Sequence, residues 1–196
     1  MRIPRRSFLA LASAVPLVLG GSSAWGESLA VSAPLRNAKL RSPLPGGIFA
    51  GYAGDTGLDI GGPSLSVHAV AAGTLDYSER GHTRWTGPRD TAWSVRLALD
   101  EPIPFGARRV THVYYTHMAK VRFQKAEGAL GAVRVVAGDA LGVSGVANGV
   151  PHLHLGLLCD GHVEQDSWEF ILRENEVRKV LGGYANGERL PALTVG

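Results

Sequence analysis

Two histidines separated by one residue, His152 and His154, are the side chains in this sequence best suited to chemistry. Asn148-Gly149 before them is a strong turn signal, and residues 153–158 are predicted to form a buried strand. Because successive strand side chains point to opposite faces, both imidazoles project from one face. Such a pair can hold a divalent cation, or one ring can bind the ion while the other transfers protons. Ordinary half-buried histidines bonded to backbone carbonyls are the alternative interpretation.

A second histidine signal lies in the predicted strand 109–117. In a regular strand His117 shares a face with Tyr115, whereas His112 lies on the opposite face. Only one of the two histidines can then face the groove of the His-x-His pair, unless a bulge intervenes. His117, at the end of the strand, is the better candidate, and Tyr115 beside it is a candidate substrate contact. His112 is interpreted as an edge-strand histidine bonded to solvent.

Two carboxylates, Asp55 and Asp59, flank a tight turn at Gly57. They can converge on one ion when the first lies in a loop and the second begins a strand. Asp and Gly are also common turn residues, so the pattern alone leaves both interpretations open. If Asp55 is only a turn residue, His82 is the alternative source of a third metal ligand.

The elements that must position these side chains follow an all-β pattern. From Gly46 onward, short apolar runs alternate with Gly, Pro, Asn and Asp at close intervals. The predicted strands are 58–60, 66–71, 73–77, 92–99, 109–117, 134–136, 140–145 and 153–158. The loop 79–91 between two of them contains Arg84 and Trp85, which are candidate substrate-binding residues at the rim of a groove, or part of a solvated connection.

A different pattern occupies residues 166–196. Asp166-Ser167-Trp168-Glu169 resembles a capping box, and the composition predicts a helix as far as Leu181, ending at Gly182-Gly183. The apolar residues of this segment would form one stripe packed on the sheet. They are Trp168, Ile171, Leu172, Val180 and Leu181. Residues 184–196 are predicted to be a short tail.

The first 26 residues are predicted to be an export signal. The twin-arginine pattern Arg5-Arg6-Ser7-Phe8-Leu9 precedes an apolar stretch that is too short to span a membrane, and small residues follow it near position 26. The sequence therefore predicts twin-arginine export to the periplasm or cell envelope, with no membrane span after cleavage. Residues 27–45 are interpreted as an extended arm, and residues 46–165 as the main domain.

Charge removes one class of function. The whole chain has 20 basic and 17 acidic residues, and three of the arginines belong to the predicted signal. The remainder has 17 of each, so the basic isoelectric point is mostly a property of the signal. No cluster of Lys or Arg remains that would indicate nucleic-acid binding.

Several short motifs occur in an order that resembles the lysostaphin/LytM-type zinc peptidases. They are Gly-x-Asp-Ile at 57–60, Val-x-Ala at 67–69, Ala-Gly at 72–73, Tyr-x-His-Met at 115–118, Val-x-Ala-Gly-Asp at 135–139, Gly-x-Ser-Gly at 142–145 and Pro-His-Leu-His-Leu-Gly at 151–156. The resemblance covers about residues 44 to 160, and the His-x-His strand is its most specific part. It implies an antiparallel β-sheet or sandwich of the duplicated hybrid motif type, with an open groove and one C-terminal helix added here.

The resemblance also assigns roles. Asp59 and His154 match metal-binding positions, and His117 and His152 match the two histidines that assist the attacking water and the tetrahedral intermediate. The family's first metal-binding histidine is replaced by Asp55. Because a carboxylate can bind zinc, these two aspartates and His154 form a feasible three-ligand site for one divalent metal. The resemblance implies that this metal is Zn²⁺.

Two functions follow from the resemblance. The first is an exported metal-dependent endopeptidase that hydrolyses peptide bonds in peptidoglycan cross-bridges or stems. The second is a degenerate, non-catalytic module that binds peptidoglycan or activates another cell-wall hydrolase. The retained histidines favour the first, and the replacement at Asp55 favours the second, because two carboxylates make the metal a weaker Lewis acid.

Overall fold

The computed structural model describes residues 39–49, 54–83, 87–165 and 168–182. The predicted export signal, most of the predicted arm and the predicted tail lie outside the described residues. Arg84 and Trp85 also lie outside them, as do Asp166 and Ser167. Within the described part of the chain, no helix is long and apolar enough to cross a membrane.

The described residues form an antiparallel β-sheet structure with one short helix near the C-terminus. The elements are β1 (Ile48–Phe49), β2 (Leu58–Gly61), β3 (Ser66–His68), β4 (Gly73–Arg80), β5 (Trp93–Phe105), β6 (Arg108–Val121), β7 (Arg134–Val135), β8 (Ala140–Ala147), β9 (Val150–Cys159) and α1 (Glu174–Val180). The predicted all-β class with a C-terminal helix is confirmed. All eight predicted strands are present, and β1 was missed because two residues are too few to show a period.

The sheet is organised around β9. The strand order is β1-β2-β9-β8-β6-β5-β4-β7, while β3 pairs with β8, and β9 pairs with β6 as well as with β2 and β8. Leu153, Leu155 and Leu157 on β9 are completely buried in the core. They alternate with His152 and His154, so the leucines fix β9 in the sheet and the histidines are presented on its other face.

The domain begins earlier than position 46. Leu40 and Leu44, which the sequence analysis assigned to an extended arm, are buried in the same core as the strands. The backbone N–H of Arg41 donates to the carbonyl of Val70 at 2.8 Å. The last residues of the predicted arm are therefore part of the folded domain.

The C-terminal helix is shorter than predicted. It begins at Glu174, and the residues just before it are extended: Ile171 pairs with Leu158 on β9, and Arg173 pairs with Thr56. The described residues 168–173 were predicted to be helical and are not, because backbone groups at 171–173 bond to the sheet and to Thr56 instead of to a helix. The predicted apolar stripe was wrong for Trp168, whose side chain is 67% exposed.

Tyr115 belongs to the core and is not a substrate contact. Its side chain is completely buried, and its phenol oxygen accepts a hydrogen bond of 2.9 Å from the backbone N–H of Val70. Burial raises the pKa of this phenol above its usual value. The structure contradicts the prediction because the side chain of Tyr115 is part of the hydrophobic core.

The role of Tyr115 can be tested by removing only its hydroxyl. Tyr115→Phe leaves the buried N–H of Val70 without its acceptor, and we expect the free energy of unfolding to fall by about 1–3 kcal/mol. Urea unfolding of the parent and the variant measures this difference. Unchanged stability combined with weaker substrate binding would restore the original prediction.

Candidate metal centre

Pairing between β2 and β9 brings a carboxylate and an imidazole together. Asp59 lies directly opposite His154 in the antiparallel register, and Nδ1 of the histidine is 2.8 Å from Oδ1 of the aspartate. Directly opposed side chains on one sheet face are close enough to interact. The geometry is therefore set by strand register, and a shift of one residue would move both side chains to the wrong face.

Asp55 reaches the same point from the loop before β2. The ligand atoms of Asp55, Asp59 and His154 all lie within 4.8 Å of one another. Gly57 makes this approach possible. It has a φ of 81°, and a Cβ atom there would lie only 2.7 Å from Nε2 of His154 and 2.7 Å from the carbonyl of Leu155. A residue with a side chain would push the loop away from the histidine.

The segment before and at the start of α1 holds this loop from the other side. The backbone N–H of Glu174 donates to the carbonyl of Asp55 at 3.0 Å, and the N–H of Gly57 donates to the carbonyl of Leu172 at 2.8 Å. Asp55 is thus placed by main-chain bonds to a segment more than a hundred positions away in the sequence. Its own Oδ1 accepts from the N–H of Thr56 at 2.8 Å.

The donor set fits a divalent cation. Zinc ligands lie about 2.0–2.2 Å from the ion, so three atoms already within 4.8 Å of one another need only small side-chain rotations to bind it. Although burial acts in the opposite direction, hydrogen bonding and charge interaction with His154 hold the pKa of Asp59 below its usual value. Two carboxylates and one imidazole are chemically suited to such an ion, and they favour harder metals than a histidine-rich set would.

Two further histidines, His117 and His152, lie beside Asp59 and His154 and line one cavity with them. The ring of His117 is 5.0 Å from the ring of His152 and 6.1 Å from that of His154, measured between centroids. Nδ1 of His152 donates to the carbonyl of Val150 at 2.9 Å, and its Nε2 is 3.7 Å from Oδ1 of Asp59. His152 and His154 both approach Asp59, so they project from one face of the sheet as the sequence predicts.

An irregularity in β6 brings His117 to this face. Val95 pairs with Tyr115 and Trp93 with Met118, so β6 contains one more residue than β5 between these pairs. His117 has a left-handed φ of 58°. This is the bulge that the sequence analysis left open, and it separates His117 from the face of Tyr115.

His117 is neutral near pH 7. Burial, followed by the nearby His154 and His152, lowers its pKa to about 4. A neutral imidazole has one protonated nitrogen and one lone pair, so it can accept a proton or donate a hydrogen bond. Either capacity is useful beside a cation that activates water.

The cavity contains all five residues assigned to chemistry. It has a volume of about 210 Å³ and is lined by Asp55, Asp59, His117, His152 and His154, among others. Sequence reasoning missed several lining residues: Tyr114, Thr116, Asn148, Gln165 and Ile171. Tyr114 and Thr116 are two positions apart on β6 and share one face. Because the bulge turns His117 to that face, recognising the bulge would have indicated both residues. Gln165 carries no signal because it lies in an irregular segment.

The structure places His82 elsewhere. Its Nε2 is 3.0 Å from Oε1 of Glu79, and its ring stacks on Tyr77 with 4.0 Å between centroids. His82 is not among the residues that line the cavity in the described part of the chain. His112 is also remote, with Nε2 3.6 Å from Oδ2 of Asp76.

The main-chain support of Asp55 can be tested at Glu174. Proline is tolerated at the first position of a helix, and Arg173 before it has the extended conformation that proline requires (φ −76°, ψ 162°). Glu174→Pro removes the N–H bonded to Asp55, and we expect zinc affinity to fall about tenfold, as for other supporting bonds around metal ligands. Competition titration with a chromophoric chelator measures the affinity.

Glu174→Ala is the matched control, since it also loses the ion pair with Arg178 but keeps the N–H. We expect this variant to bind zinc like the parent. Equal affinities in the proline and alanine variants would show that the bond to Asp55 does not support the site.

Comparison with known proteins gives matches to solved structures alone. No family model matches the sequence, and no curated protein matches it. The fold is similar to lysostaphin, described as an antimicrobial peptidase from Staphylococcus simulans, at 18% identity and a TM-score of 0.46, over 76% of this chain and 55% of that one. A solution structure of lysostaphin gives 18% identity and a TM-score of 0.49, over 81% and 60% of the two chains.

The catalytic domain of a prophage-encoded M23 protein, EnpA from Enterococcus faecalis, is similar at 20% identity and a TM-score of 0.43. That match covers 62% of this chain and 91% of the domain. The chain spans little more than half the length of lysostaphin. At these identities and TM-scores, the matches carry no evidence about the function of this chain.

Proposed function

We propose that this protein is an exported, metal-dependent endopeptidase that hydrolyses peptide bonds in peptidoglycan cross-bridges or stems. One observation carries the proposal: three potential metal ligands with donor atoms within 4.8 Å of one another share a cavity with two further histidines. Concentration of titratable groups in a cleft is characteristic of catalytic sites.

The proposed ligands are Asp55, Asp59 and His154. A divalent cation bound there, Zn²⁺ by the sequence resemblance, would polarise a peptide carbonyl and make water a stronger nucleophile at neutral pH. Asp59 is fixed by the register of β2, and His154 by that of β9. Both therefore sit on rigid strands, as a precise site requires.

His117 and His152 are proposed to act on protons and on the developing oxyanion. His117 is neutral near pH 7 and can accept a proton from water. His152 is oriented by its bond to the carbonyl of Val150, which leaves Nε2 near the ligand atoms. A positioned donor at the oxyanion contributes about 3–4 kcal/mol of transition-state stabilisation in other hydrolases.

Peptidoglycan as the substrate follows from two features of the sequence. The motif order between residues 44 and 160 resembles the lysostaphin/LytM-type peptidases, and the twin-arginine pattern predicts export to the cell envelope.

A second function, a non-catalytic module that binds peptidoglycan or activates another cell-wall hydrolase, is favoured by Asp55. Two carboxylates donate more negative charge to a cation than one, so its Lewis acidity is lower. A site of this kind would leave peptide bonds intact. The metal content and the turnover of the purified protein therefore separate the two functions.

Digestion of purified peptidoglycan by the zinc-loaded protein tests the proposal. Mass spectrometry of the soluble products should show peptide-bond cleavage that stops when a chelator removes the metal. Asp55→Ala should lose most zinc affinity and all measurable cleavage, whereas Asp55→His should keep zinc and cleavage because imidazole is a good zinc ligand.

Thr111→Val is a suitable control, because Thr111 lies outside the cavity and bonds near the far end of β9. We expect it to cleave like the parent. Metal binding without any peptide products would support the non-catalytic function, and failure of the parent to bind metal would contradict the proposed centre.

A further inference from the structure

His117 lies at the point where β6 changes its neighbouring strand. As far as Thr116, which is opposite His154, β6 pairs with β9. From Met118, which is opposite Ser144, it pairs with β8. Within the described strands, His117 itself is paired with no residue of β5, β8 or β9. Because buried main-chain groups need hydrogen-bond partners, the backbone of His117 depends on a group outside these ladders.

Thr91, two residues before β5, supplies that group. Its hydroxyl donates to the carbonyl of His117 at 2.8 Å and accepts from the N–H of Val146 at 2.9 Å. Its backbone N–H donates to the carbonyl of Val146 at 2.8 Å. The hydroxyl is also 3.2 Å from that carbonyl, but it has one proton, and the shorter bond is the one to His117. The side chain of Thr91 therefore bridges β8 and the unpaired position of β6.

Gly145 on β8 leaves room for this hydroxyl. A Cβ atom at Gly145 would clash with Oγ1 of Thr91 and would lie 2.6 Å from the carbonyl oxygen of His117. Real Cβ atoms essentially never approach other atoms so closely. Gly145 is the last residue of the Gly-x-Ser-Gly motif at 142–145. Its lack of a side chain allows Thr91 to bond to β6 and β8 at once.

We propose that Thr91 is a positioning residue that holds His117 in its left-handed conformation, with the imidazole in the cavity. Thr91 bonds to the main chain of His117, so it acts on the ring only through the backbone. The backbone φ of 58° sets the direction in which the Cβ atom points. A return to an ordinary strand conformation would turn the ring away from His152 and His154, whose centroids are 5.0 and 6.1 Å away.

The positioning role stands on these hydrogen bonds and on the space at Gly145. Its catalytic consequence rests on the proposed function, in which His117 acts on protons beside the metal. A purely structural role for Thr91 is the alternative. The two roles differ in what the loss of the hydroxyl does to His117 and to kcat, because a structural role changes stability alone.

Solution NMR of the protein tests the conformation of His117 directly. At a positive φ the amide and α protons of one residue are closer together than in a strand, so a strong NOE between them reports the left-handed conformation. We expect this NOE at His117 in the parent, together with NOEs between its ring and that of His152. Both should weaken in Thr91→Val, which keeps the shape but lacks the hydroxyl, and Thr91→Ser should restore them.

Two further variants reach the same hydroxyl by different changes, so the test does not depend on the folding of Thr91→Val. Gly145→Ala fills the space of the hydroxyl, and Thr91→Ala removes it. Both should weaken the same NOEs. A parent without the left-handed NOE at His117, or NOEs of parent strength in the folded variants that lack the hydroxyl, would overturn the proposal.

Ser78→Ala is the matched control. Its buried hydroxyl donates to the carbonyl of Phe123 at 2.7 Å, and Ser78 is not among the described residues that line the cavity. We expect this variant to be destabilised to a similar extent as Thr91→Val, with the NOEs of His117 unchanged. Loss of these NOEs in Ser78→Ala as well would show that they report general stability, and would contradict a specific role for Thr91.

Kinetics then separates this proposal from the proposed function. If the parent hydrolyses peptidoglycan peptides, kcat in Thr91→Val should fall about tenfold to a hundredfold, because a displacement of about 1 Å at a catalytic group can cost this much. KM and zinc affinity should stay nearly unchanged, and Thr91→Ser should recover kcat. The predicted NOEs in a parent without turnover would sustain the positioning role and refute the endopeptidase. Unchanged kcat in a variant whose His117 has moved would refute the catalytic consequence.

Discussion

The register between β2 and β9 is the constraint on which the site depends. It places Asp59 opposite His154 with 2.8 Å between their bonding atoms. The same strand carries Leu153 and Leu155, which are completely buried. Since a slip of one residue would expose these leucines and bury the histidines, the energy that stabilises the core also fixes the proposed metal ligands on these strands.

The rest of the site is assembled around this pair by longer-range contacts. The segment before α1 supports the loop of Asp55 through main-chain bonds, and the bulge in β6 turns His117 toward the cavity. Of the three proposed ligands, Asp55 is the one carried by a loop. Its placement therefore depends most on distant parts of the chain.

Local patterns predicted much of this structure. Alternation of apolar residues was sufficient for eight strands, and the spacing of His152 and His154 was sufficient to place both on one face, because strand geometry has a period of two. The pattern could not reveal where that period is broken. One extra residue in β6 places His117 and Tyr115 on different faces of the strand, and only the pairing of β6 with β5 reveals this residue.

Non-local bonding also accounts for the predictions that were wrong. Residues 171–173 have a composition that suits a helix, but their backbone groups bond to β9 and to Thr56. His82 was a reasonable alternative ligand by residue type, yet it stacks on Tyr77 and bonds to Glu79. Neither partner is indicated by sequence spacing.

The location of bound zinc tests the central claim most directly. Crystals of the zinc-loaded protein, measured on both sides of the zinc absorption edge, give an anomalous difference map that shows the ion independently of any assumed ligands. The structure predicts one peak within about 2.0–2.2 Å of a ring nitrogen of His154 and of carboxylate oxygens of Asp55 and Asp59. A peak bound to His152 or His117 in place of Asp55, or no peak in this cavity, would contradict the account.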